Sequence, residues 1–458
     1  MKRYFFVRAG LALLVFNTLL PGVTHGQSGS PTMTADPQIA AGLKQVSAAR
    51  IRANIEKLVS FQTRLTLSAQ DPASIAAGHG IGAAREWIKS QFESYSRDCG
   101  GCLEVKTDAF LQQPADRIPQ AITITNVYAV LKGTDPENSK RIVLVTGHYD
   151  SRNSDTLDAV GGAPGANDDA SGTSVSLECA HVLSKLKFPA TIIFLAVAGE
   201  EQGLNGSDHF AKMAKAEGWN LEAVLNNDIV GGDRSPGQDS KTVRVFSEGI
   251  PLSASEQDVN RIRGLGGESD SLSRQVARYV VEAARTYDVG VKPMLVFRLD
   301  RYLRGGDHRS FNEQGFPGVR LTEFRENYNH QHQNVRTENG VEYGDLPKFV
   351  NYDFVASIAR LNAATLASLA SSPAPPAKVR VLTRELQNDT TLTWDSKPGI
   401  SYEVLWRATT SPEWEHVQTV GKVTKATLPM SKDNVIFAVR SSDDNGHKSL
   451  PVVPVPER

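Results

Sequence analysis

Residues 142–151 read Ile-Val-Leu-Val-Thr-Gly-His-Tyr-Asp-Ser, and residues 191–203 read Thr-Ile-Ile-Phe-Leu-Ala-Val-Ala-Gly-Glu-Glu-Gln-Gly. Each stretch opens on a nearly unbroken apolar run and closes on acids or imidazole. An apolar run without alternation predicts a strand buried on both faces, as in a sheet covered by helices on both sides. Residues 126–131 read as a further strand. Residues 174–186, 271–287 and 349–369 carry apolar side chains at helical spacing. Strands alternating with helices predict an α/β fold with a mixed, largely parallel central sheet flanked by helices. Upstream, residues 39–58 read as one helix, and residues 83–95 as another with Trp87, Ile88 and Phe92 on one face.

The pattern extends over residues 39–370 and breaks at Ser371-Ser-Pro-Ala-Pro-Pro-Ala377, a stiff extended linker. Beyond it the period becomes two. Short runs at 379–381, 391–394, 402–406, 416–420 and 435–439 predict a small all-β sandwich over residues 378–458. At the other end, a positive start, an apolar stretch from Ala9 to Leu20 and a small-residue exit at Gly26 have the layout of a secretory signal peptide over residues 1–26. Residues 27–38 follow as a polar leader. The expected location is secreted or periplasmic. No apolar run reaches the roughly 18 residues of a membrane span, so none is expected after cleavage.

Composition narrows the function classes. The chain has 458 residues, 40% hydrophobic and 22% charged, which excludes collagen-like, coiled-coil and wholly disordered chains. Lysine plus arginine number 50 against 51 acids. Without a cationic excess, neither nucleic acid nor acidic lipid is an expected partner. Cys99-Gly-Gly-Cys102 fits a redox pair, half a metal site or a local disulfide. An oxidising compartment favours the disulfide. Cys179 sits in an apolar helical stretch and reads as core.

The chemistry-bearing residues stand at the ends of the apolar runs. They are His148 and Asp150, then Asp168 and Asp169 in Gly-Ala-Asn-Asp-Asp-Ala-Ser-Gly, then Glu200 and Glu201, then Asp228 after the run 223–227. The carboxyl ends of strands in an open α/β sheet form the ligand crevice, so one cleft could gather all of them. Carboxylates crowded together repel and take up protons unless cations neutralise them. Imidazole with carboxylate suits zinc, or cobalt or manganese in its place. A pair of such ions about 3.5–4 Å apart suits hydrolysis.

The segments GHYDS, GANDDASG, AGEEQGLNGS and NNDIVGGD, in this order, resemble the zinc aminopeptidases of the M28 peptidase family over roughly residues 120–345. That resemblance implies two Zn2+ ions. His148 and Asp228 would hold one, Glu201 the other, and Asp168 would bridge them. Glu200 would be the general base acting on the shared water, and Asp150 would orient His148. The last histidine ligand falls in Tyr328-Asn-His330-Gln-His332-Gln-Asn-Val-Arg336-Thr337. Thr337 aligns best with His332 as ligand, while Arg336 stands where the family has aspartate; His330 is the alternative. Asp307 and His308 resemble a family segment near the substrate pocket. The last domain resembles a fibronectin type III module.

The implied activity is removal of N-terminal residues from peptides by a secreted metallo-aminopeptidase. A glutaminyl-cyclase-like or carboxypeptidase-like relative on the same fold is the alternative, with one zinc expected for a cyclase. A non-catalytic binding protein is disfavoured, because the ligand set and Glu200 are all present.

Overall fold

The computed structural model describes residues 31–384 and 386–457. The segment read as a signal peptide, residues 1–26, lies outside the described residues. Eight strands form the central sheet: β1 (Leu103–Gln112), β2 (Ile122–Leu131), β3 (Arg141–His148), β4 (Thr191–Val197), β5 (Asn220–Asn227), β6 (Thr242–Ser247), β7 (Lys292–Val296) and β8 (Gly318–Glu323). Their order is β1-β2-β4-β3-β5-β8-β6-β7. The middle four, β4, β3, β5 and β8, run parallel, and antiparallel pairs join β1–β2, β2–β4 and β6–β8.

The apolar runs are buried on both faces. Leu144, Ile193, Leu195, Val197 and Val224 pack on one side against the helices Asn205–Ala216 and His308–Glu313. Val143, Val145, Ile192, Phe194, Ala196, Ala223 and Leu225 join the larger core on the other side, under the helices Ala170–Leu183 and Tyr352–Ser371. Each fully buried valine, leucine, isoleucine or phenylalanine among them is worth roughly 1.5–3 kcal/mol. The helix after β3 and the helix after β4 therefore cover opposite faces, and β3 lies between β4 and β5. This reversal opens a crevice at the carboxyl ends of the three strands. The helix Tyr352–Ser371 is long and apolar enough to cross a bilayer, but 89% of its most apolar window is buried in the protein.

The single helix expected over residues 39–58 is two, Pro37–Leu43 and Ala48–Val59. The break has a polar cause. Glu178, fully buried in the helix Ala170–Leu183, accepts the Ser47 N–H and both forks of Arg50. Ser47 then caps the second helix by accepting from the Arg50 N–H. Cys99 and Cys102 are joined in a disulfide, and Cys179 is buried.

Two glycines bring the acid-bearing loop onto the strand ends. A Cβ on Gly172 would lie 2.0 Å from the Asn227 carbonyl oxygen, and one on Gly147 would lie 2.3 Å from the Gly172 carbonyl carbon. Only bare backbone allows the helix start to sit directly on β3 and β5. Asp169 caps that helix by accepting from Gly172, and it also accepts from the N–H groups of His148 and Ile229.

Beyond residue 376, strands Lys425–Leu428, Thr390–Asp395, Ala377–Leu382 and Val455–Glu457 form one sheet, and His416–Gly421, Ser401–Ala408 and Val435–Ser442 another. Val379, Leu392, Trp394, Tyr402, Val404 and Phe437 share a core. This module is docked on the helix Leu272–Tyr287. Fully buried Arg440 donates to Glu282 and Glu403, the Trp414 indole donates to Gln275, and Arg278 donates to the Pro412 carbonyl.

Candidate metal centre

His148 ends β3, and Asp228 follows β5. Glu200 and Glu201 follow β4, and Asp168 precedes the capped helix. The fold gathers all five with His332 into two abutting groups: His148 with Glu200 and Asp228, and Asp168 with Glu201 and His332. Nε2 of His148 lies 3.1 Å from Oδ1 of Asp168, 3.9 Å from Asp228 and 4.0 Å from Glu200. Nε2 of His332 lies 2.8 Å from Oδ2 of Asp168 and 3.0 Å from Oε1 of Glu201. The two oxygens of Asp168 thus face different imidazoles.

These atoms approach without hydrogen-bonding. Nε2 of His148, Nε2 of His332 and Oε1 of Glu201 are buried and lack a hydrogen-bond partner. Buried polar atoms are seldom left so. Donor atoms that converge on common points rather than on each other are what divalent cations require, and imidazole with carboxylate is the zinc set. The residues fit zinc, and Asp168 lies between the two groups.

A family model described as Peptidase family M28 matches residues 126–342. A protein of Leptosphaeria maculans described as a probable zinc metalloprotease is 45% identical over 427 residues, spanning 92% of this chain and 97% of its own length. One of Pyricularia oryzae with the same description is 45% identical over 435 residues, spanning 92% and 85%. This chain belongs to peptidase family M28.

It is a zinc metalloprotease, and its substrates are peptides. The crystal structure of the Legionella pneumophila LapA aminopeptidase shares the fold of this M28 peptidase with a TM-score of 0.52, at 19% identity over 75% of this chain and 78% of that one.

The M28 site is held by Asp150, which the motif GHYDS carries, and by further residues that no sequence motif marked. Asp150 is fully buried. Its carboxylate accepts from the Glu201 N–H, the Glu200 N–H and the Thr66 hydroxyl, tying the ends of β3 and β4 together. Its carbonyl and carboxylate oxygens lie 3.2 and 3.3 Å from Nδ1 of His148. They fix the proton there and leave Nε2 free for a metal. Arg320, buried in β8, places its guanidinium 3.0 Å from Asp228. Arg152 donates to Glu201, and its guanidinium lies 2.7 Å from Nδ1 of His332. Against the opposing effect of burial, Glu201 and Asp168 hold the His332 imidazole up at about 10, so the ring is protonated at neutral pH with Nε2 facing the two carboxylates. A cation seated there takes that proton's place. The Asp345 carboxylate accepts from the Asn167 and Asp168 N–H groups and fixes the bridging loop. Fully buried Arg64 donates to the carbonyls of Leu58, Tyr149, Pro164 and Gly165, pinning the loop after β3. In sequence these arginines are indistinguishable from solvated ones.

Electrostatics follow from crowding. Burial raises the Glu200 carboxyl well above its usual range, and Asp228, Glu201 and Asp307 push the same way, against His148. Burial also lifts Asp228 to about 6 despite Arg320.

His330 is not part of either group. It stacks on Phe349 and pairs with Asp233. Asp307 and His308, expected near the substrate pocket, are fully buried and outside the cleft lining, although Asp307 is close enough to act on Glu200. They begin the helix His308–Glu313, which packs on β8 and directs His308 inward to the Leu299 carbonyl. The segment just before them, residues 298–305, lines the cleft instead.

Proposed function

We propose that the chain is a two-zinc aminopeptidase, removing N-terminal residues from peptides outside the cytosol. The observation that carries this reading is the division of Asp168, with one oxygen toward His148 and the other toward His332. A one-ion site has no use for a carboxylate aimed at two separate ligand groups.

When bound, the two ions supply Lewis acidity toward the scissile carbonyl and make a water acidic at neutral pH. The protein contributes position and proton transfer. Glu200 follows β4 directly, and its side chain reaches the cleft while Asp150 fixes its backbone. Its raised proton affinity suits a base that takes a proton from the attacking water and returns it to the leaving amine. Asp150, Arg320 and Arg152 hold His148, Asp228 and the Glu201–His332 pair in fixed orientations, so the ligands need little rearrangement to bind. The N-terminal segment and the Cys99–Cys102 bond support an oxidising compartment.

The test is metal content and substrate class together. The purified chain should retain two equivalents of zinc by mass spectrometry. It should cleave aminoacyl amides with a free amine, spare their N-acetylated forms, and lose activity on chelation. A single tightly held ion, or equal cleavage of blocked substrates, overturns the reading.

A further inference from the structure

The cleft over the two ligand groups, about 1080 Å³, includes Arg117, Arg152, Arg298, Arg301, Arg304 and Arg309 in its lining. Its acids are the four metal-group residues Asp168, Glu200, Glu201 and Asp228, with Asp300 in addition. Asp300 is buried and already engaged by Arg301 and Arg320. Glu326 is shared by Arg244, Arg301 and Arg304, so three guanidiniums have that one carboxylate in common. Arg298 is exposed, stacks on the Tyr302 ring at 3.9 Å and donates to its hydroxyl. Arg117 donates to the Glu201 carbonyl. Among the described residues, no carboxylate pairs with either of these two.

Once divalent cations neutralise the four ligand-group acids, the rest of this wall is cationic. A guanidinium fork matches a carboxylate with two parallel hydrogen bonds. Tyr302 stacking holds the Arg298 plane in one orientation, so less freedom is lost on binding. A basic or ammonium-bearing side chain placed there would meet like charge.

We propose that this arginine wall selects substrates carrying a carboxylate next to the scissile bond. The proposal rests on the peptidase reading above and names its substrate class. The carboxylate has two possible sources: the acidic side chain of the residue removed, or the free C-terminus of a dipeptide.

The experiment compares kcat/KM of the zinc-loaded full chain on matched pairs. Glutamyl- against glutaminyl-anilide tests the side chain, and leucyl-glycine against leucyl-glycinamide tests the terminus. At least one carboxylate member should exceed its amide by roughly tenfold or more. In Arg298→Glu that ratio should drop by about the same factor, and added salt should compress it in the wild type. Arg298 is at the surface, and a thermal melt verifies folding of the variant. Both ratios within about threefold in an active enzyme overturn the inference and leave the peptidase reading standing. A second readout is independent of turnover: calorimetric binding of glutarate against glutaramide to the zinc-loaded wild type and Arg298→Glu. Preference for glutarate that the variant loses supports the wall even if no peptide is cleaved. Equal binding by both proteins sinks it.

Discussion

Asp168 faces two imidazoles at once, and that geometry makes it the residue with the widest consequences. Asp168→Asn keeps the shape but removes the charge that two cations share. It should release both ions on desalting, whereas His148→Ala should release chiefly one; mass spectrometry of retained zinc decides, and two ions kept by Asp168→Asn would contradict the bridging role. Glu200→Gln should keep its zinc and lose activity by a factor on the order of 10² or more. Full turnover in that variant would remove Glu200 from the base role. Proton uptake gives a further expectation. Asp228, lifted to about 6, holds a proton below that pH and must shed it to bind a cation. His332, held up at about 10, must likewise give up a proton before Nε2 can bind a cation. Zinc binding at neutral pH should therefore release protons, and affinity should fall as pH drops through about 6. Calorimetry in buffers of different ionisation enthalpy measures the release; uptake of protons would refute it.

At the scale of elements, the close contact between the helix Ala170–Leu183 and the strands β3 and β5 is the sensitive joint. Gly172→Ala would drive a methyl into the Asn227 carbonyl and the Asp169 carboxylate. It should cost at least about 2 kcal/mol, measured by denaturant unfolding, and should lower zinc affinity because Asp168 moves with the helix start. The acid-bearing ends of β3, β4 and β5 were legible in the sequence because those strands are buried on both faces, and unbroken apolar runs say so. β1 was not, since its exposed, alternating face resembles a loop. β7 was not either, being five residues long with lysine and proline at its start. Arg320 was hidden for a different reason. An arginine in a strand reads as solvent-facing, and only the fold reveals Asp228 and Asp300 opposite it. The break at Lys44–Val46 likewise depends on Glu178, more than a hundred residues away. Motif spacing singled out the acids and imidazoles of the two groups and Asp150; it could not single out Arg320, Arg152, Asp345 or Arg64.

Across the whole molecule, the C-terminal module is bound through buried charge rather than a loose tether. Arg440 is fully buried between Glu282 of the catalytic unit and Glu403 of the module. Arg440→Ala would strand Glu282 and leave Glu403 with Lys448 alone, and should destabilise the chain by about 3–5 kcal/mol, read by chemical denaturation. A change within experimental error would show that water replaces the guanidinium without penalty. The helix Leu272–Tyr287 meets the module on one side and β6, β7 and β8 on the other. A few residues past that helix the chain enters β7 and then reaches Arg298. A proteolytic nick in the proline-rich connector should therefore register first as coarser discrimination among peptides at the cleft mouth, ahead of any change in how firmly the ions are retained.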